Sequence, residues 1–211
     1  MKNIDSKTID KLSKCVSNYL KNIEADSYYW NGKMTWMETI NFRSEINKQI
    51  KKSSYGANQI SEVMCWGGIR NFRDNDHLPT AINELQNKKL KYKTYSRISS
   101  FSKLFSFYDP QNYFILDARV SLVLNSFFIE IGKSEYVLPF NHRSAQSALA
   151  RVQLSKFKKI KSSFTNIGDA YIEYNHLILK IFKSVNIPKR LPKRPEIIEM
   201  ALFSMYKQRS K

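Results

Sequence analysis

Apolar residues recur at three- and four-residue intervals along most of this chain, and that period constrains the fold more than any other feature. Ile4, Ile9, Leu12, Val16, Tyr19, Leu20 and Ile23 place one apolar face on a helix over about residues 6–23. The same spacing predicts helices over about 42–50, 57–66, 79–87, 99–107, 118–131, 144–161, 168–185 and 196–206. Asn31-Gly32, Gly67-Gly68, Asp109-Pro110 and Gly132 supply turns and helix ends, and NIPKRLPKRP reads as an extended linker. No alternating run of comparable length competes; YFIL at 113–116 is too short to found a sheet. The expected architecture is all-α, a compact multi-helix protein of about eight to ten helices. It forms one domain over 1–211, with possible lobes at 24–131 and at 1–23 plus 132–211.

Composition agrees with that period. Apolar residues make up 42% and aromatics 13% of 211 residues, enough for a sizeable core and too many for a disordered chain. Glycine and proline number 6 each, few for a loop-rich β-sandwich. No run reaches the ~18 apolar residues of a membrane span, and MKNIDSKTIDKLSK lacks the apolar stretch of a signal peptide. Cys15 and Cys65 form no CxxC pair, which fits a reducing cytoplasm.

Charge narrows the partners. Lys plus Arg total 35 against 18 acids, a formal excess of +17. Self-repulsion of that size is relieved by a polyanion, and nucleic acid is the usual one. Lys88, Lys89, Lys91, Lys93, Arg97 and Lys103 fall between residues 86 and 108 with no acid among them. A second acid-free cluster runs from Arg151 to Lys161, and the linker adds Lys189, Arg190, Lys193 and Arg194. Any one cluster reads equally well as a solvated helix face; three together favour a phosphate-contacting surface.

Little chemistry is available to such a chain. His77, His142 and His176 are scattered without a second ligand at metal-binding spacing, and no Gly-rich phosphate loop occurs. No metal and no cofactor are expected. Carboxylates remain, and Asp117 is the one with a distinctive setting. It follows Phe114-Ile115-Leu116 and opens the helix ARVSLVLNSF. Its two readings are a plain N-cap and a partly desolvated carboxylate able to act as a base or to stabilise a developing cation.

The segment RISSFSKLFSFYDPQNYFILDARVSLVLN resembles the core of the helix-hairpin-helix DNA glycosylases. In that family a hairpin leads into a helix whose first turn, in some members, carries a catalytic lysine. An aspartate opening the next helix follows about 18 residues later. Counting 18 back from Asp117 gives 99, so Ser99 takes the lysine position. The resemblance therefore implies a monofunctional glycosylase with a degenerate hairpin, in which Asp117 directs water and stabilises charge on the sugar. Tyr95 and Arg97 stand where the family hairpin has glycines, Arg119 stands where many members have histidine, and the four-cysteine iron–sulfur cluster is absent. Similarity to bacterial glycosylases acting on hypermodified phage DNA adds phage defence to what the resemblance implies.

A glycosylase must extrude its target base and stack it. Tyr29, Trp30, Trp66, Arg70 and Asn71 are the candidates for holding the base or filling the vacated stack. Lys93, Arg97, Ser99, Ser100, Lys103 and Arg119 are the candidates for contacting DNA, expected to be double-stranded. The alternative is a non-catalytic basic helical DNA- or RNA-binding protein with Asp117 as a cap only.

Overall fold

The computed structural model of the chain describes residues 4–23, 34–53, 55–69, 72–73, 75–139, 164 and 166–209. The expected helix at 144–161, with its basic cluster, lies outside them, as do Tyr29, Trp30, Arg70 and Asn71. Among the described residues the regular elements are helices and no β-strand is present. In chain order they are α1 (Ser6–Asn22), α2 (Trp36–Ser53), α3 (Ala57–Trp66), α4 (Leu78–Gln86), α5 (Tyr92–Tyr95), α6 (Ile98–Tyr108), α7 (Ala118–Glu130), α8 (Asp169–Ser184) and α9 (Glu196–Arg209). Single 3₁₀ turns stand at Asn75–His77 and Ser134–Tyr136. The all-α architecture is thus the observed one.

Local chemistry explains the ends of several helices. Asp5 caps α1, its Oδ1 accepting from the Thr8 N–H at 2.8 Å. At the other end Arg190 Nη2 donates to the carbonyls of Leu20, Lys21 and Ile23 at 3.0, 2.9 and 2.7 Å. Arg194 meanwhile donates to Glu196 Oε1 at 2.9 Å. Two of the four linker cations expected to face phosphate therefore serve the fold. Helix α2 begins at Trp36, six residues before the expected start at 42, because Thr35 and Glu38 form a capping box. Glu38 Oε2 accepts from the Thr35 N–H at 2.8 Å, and Thr35 Oγ1 accepts from the Glu38 N–H at 3.3 Å. Helix α5 has no apolar period to reveal it and was not expected.

Helix α6 is the centre of the molecule. Residues 101–107 are buried without exception, and α2, α3, α4 and α5 pack around it. A helix apolar on all sides belongs inside, and ISSFSKLFSFY offers only small hydroxyls and one lysine as polar relief. On the other side α1 packs against α8 and α9, and α7 against α9. The buried apolar side chains of all these helices form one cluster. Between α6 and α7 the chain passes through this core as an extended segment, Phe114–Leu116, whose three side chains are 0% exposed.

Candidate active site

Asp117 stands where that buried segment emerges to begin α7. Its backbone is extended, and its Oδ1 accepts from the N–H groups of Arg119 and Val120 at 2.9 and 3.0 Å. The cap reading is therefore observed. Both bonds end on Oδ1, and Oδ2 has no protein donor among the described residues. The residue is half-buried at the rim of the core.

Lys103 is the neighbour that the sequence placed incorrectly. Expected on a DNA-facing surface, it is 4% exposed. It lies on α6 one turn after Ser99, and its Nζ donates to the Ser99 carbonyl at 2.7 Å. A helix buried on all sides has no solvated face to offer a lysine, so its ammonium cannot meet a phosphate there. Burial holds its pKa below the ordinary 10.5, against the opposing pull of Asp117 and Glu199, while Arg119 and Arg43 add to the lowering. The lysine stem passes directly over Gly67: a methyl group on that glycine would lie 2.4 Å from Lys103 Cδ. The end of α3 thus meets the Lys103 stem, whose amine reaches back to the start of α6.

The remaining candidates fall on different surfaces. Ser99 and Ser100 are half-buried in the first turn of α6. Arg97, the residue before that turn, and Lys93 on α5 are exposed, as are Lys88, Lys89 and Lys91. Arg119 is half-buried, its guanidinium 4.7 Å from the centre of the Phe203 ring. Trp66 is half-buried and engaged, packing edge-on against Phe107 at 5.1 Å with the Arg43 guanidinium 5.5 Å from its ring. Tyr95, at the family's first glycine position, is a core residue 1% exposed whose hydroxyl donates to the Pro139 carbonyl.

Three functional candidates were not singled out from the sequence: Arg43, Glu199 and Ser102. Arg43 and Glu199 form a bidentate ion pair at 2.9 and 3.0 Å, with side chains 0% and 1% exposed. The signal was available for Glu199, an acid one turn into the nearly all-apolar helix EIIEMALFSM. It was not available for Arg43, since α2 has many charged residues and only tertiary packing selects this one. Among the described residues no group of three or more His, Cys, Asp or Glu could hold a metal ion. No helix among them is long and apolar enough to cross a membrane.

Comparison of the chain with protein-family models, with curated proteins and with solved structures yields no match.

Proposed function

We propose that this chain is a DNA glycosylase, hydrolysing the N-glycosidic bond of a modified or damaged base to leave an abasic site. The observation that carries the reading is Asp117, a carboxylate at the rim of the core with one oxygen committed to its helix and the other without a protein donor among the described residues. In this reaction water adds its oxygen to C1′ of the sugar while the C1′–N bond breaks. The bond electrons leave with the base, and the water proton passes to Asp117. The same carboxylate opposes the positive charge that gathers on the sugar as the bond lengthens. A formal charge of +17 and the exposed lysines around α5 support DNA as the substrate. The resemblance at 97–125 supports the same class, with cytoplasmic action and phage defence as part of the proposal.

Asp117→Asn separates chemistry from capping, because asparagine is as good an N-cap as aspartate. The expected result is an unchanged melting temperature with kcat/KM lowered about 10²–10⁴-fold. Product is read as alkali-sensitive abasic sites in duplexes carrying candidate bases. Equal cleavage by both proteins would remove Asp117 from the mechanism. Binding without cleavage by the wild type on every substrate would favour the second reading, a non-catalytic DNA- or RNA-binding protein. The observed cap at Asp117 is compatible with that reading.

A further inference from the structure

The segment before Asp117 is held in an unusual way. An extended tripeptide buried in a helical core has no neighbouring strand to satisfy its backbone, yet an unpaired buried amide or carbonyl is costly. Here all six polar groups are taken up by side chains. The Phe114 N–H donates to Asn175 Oδ1 at 2.8 Å, the Ile115 N–H to Glu199 Oε2 at 3.0 Å and the Leu116 N–H to Ser102 Oγ at 3.0 Å. The carbonyls of Phe114 and Ile115 accept from the hydroxyls of Tyr171 and Tyr174 at 3.0 and 2.6 Å, and that of Leu116 from Ser102 Oγ at 3.4 Å. These side chains come from α6, α8 and α9, so three helices meet on three residues. Glu199 is itself held by both nitrogens of Arg43 from α2.

Ser102 has a particular place in this set. It precedes Lys103 and bonds both backbone groups of Leu116, which precedes Asp117. The residue before the amine is thus locked to the residue before the carboxylate. Simple stability does not call for this arrangement. An apolar helix-to-helix loop on the surface would leave its backbone to water, whereas threading it through the core requires five polar side chains to be buried.

We infer that Ser102, Tyr174 and the Arg43–Glu199 pair are positioning residues that, by holding Phe114–Leu116, fix the Asp117 carboxylate at the start of α7. The inference rests on the glycosylase reading for its kinetic consequence and on geometry alone for its structural one. Oriented catalytic groups lose large factors in rate for displacements near 1 Å.

The experiment compares wild type, Ser102→Ala, Tyr174→Phe and Val16→Ala. Val16, in the core of α1, makes none of the segment's hydrogen bonds and controls for lost stability. Two quantities are measured: kinetics on the cleaved duplex, and amide hydrogen exchange by NMR. Expected for Ser102→Ala and Tyr174→Phe is a kcat lowered about 10- to 100-fold with KM unchanged. The Arg119 and Val120 amides, which donate to Asp117, should exchange about ten-fold faster relative to those of Val123 and Leu124. Val16→Ala should lower the melting temperature while leaving kcat and that exchange ratio as in wild type. If the two segment variants lose rate only as their stability falls, with the exchange ratio unmoved, the positioning role is overturned. If the wild type cleaves nothing, the glycosylase reading fails, and the exchange ratio alone then decides whether the segment positions Asp117.

Discussion

Lys103 shows best how a single residue departs from what its sequence context suggests. Counted with Lys88, Lys89, Lys91, Lys93 and Arg97, it looks like one more phosphate contact. In the fold it is a buried ammonium with one hydrogen bond, within electrostatic reach of two carboxylates and two guanidiniums. Three cations against two carboxylates leave it as the surplus charge. Lys103→Met is therefore expected to raise stability by about 1 kcal/mol, read as a rise of a few degrees in melting temperature. The pH dependence follows from the lowered pKa of the folded state. Between that value and 10.5 the unfolded chain binds more protons, so wild-type stability rises with pH there. The advantage of Lys103→Met should shrink correspondingly as pH is raised towards 10.5, in thermal melts of both proteins.

Elements meet at points where backbone approaches backbone. Gly168, before α8, is one of these: a methyl group there would lie 1.9 Å from the Leu90 carbonyl oxygen. That contact docks the start of α8 onto the chain entering α5. Gly168→Ala must push the two apart, and we expect a loss of about 2–3 kcal/mol by denaturant unfolding. The opposite sign is expected at Lys88, which closes α4 with φ of 53° and with its N–H on the Leu85 carbonyl. Glycine is at ease in that left-handed position, so Lys88→Gly should gain up to about 1 kcal/mol. Most helices were legible because their apolar faces repeat over three or more turns. Helix α3 spans the expected residues, whereas α5, at four residues, carries no period to detect. The start of α2 was legible too, in the Thr35-x-x-Glu38 spacing, but apolar periodicity alone places it late.

At the scale of the molecule, charge is divided between fold and surface. Arg43, Lys103, Arg190 and Arg194 have intramolecular roles, so the formal excess overstates what a partner meets. Lys88, Lys89, Lys91 and Lys93 are exposed and lie close in the chain to Tyr92, which is 69% exposed. Replacing Lys91 and Lys93 together by glutamine should flatten the plot of log affinity against log salt by about two units for duplex DNA. Fluorescence anisotropy across a salt series checks this; an unchanged slope would mean that these two lysines do not contact the DNA. The helical class, the apolar faces and the position of Asp117 at a helix start were determined by the sequence alone, because they depend on period and on neighbours along the chain. The depth of Lys103, the Arg43–Glu199 pair and the side-chain cage around Phe114–Leu116 were decided only by tertiary structure. Those contacts join residues 14 to 156 positions apart, and no local pattern encodes which distant polar group will complete a buried backbone.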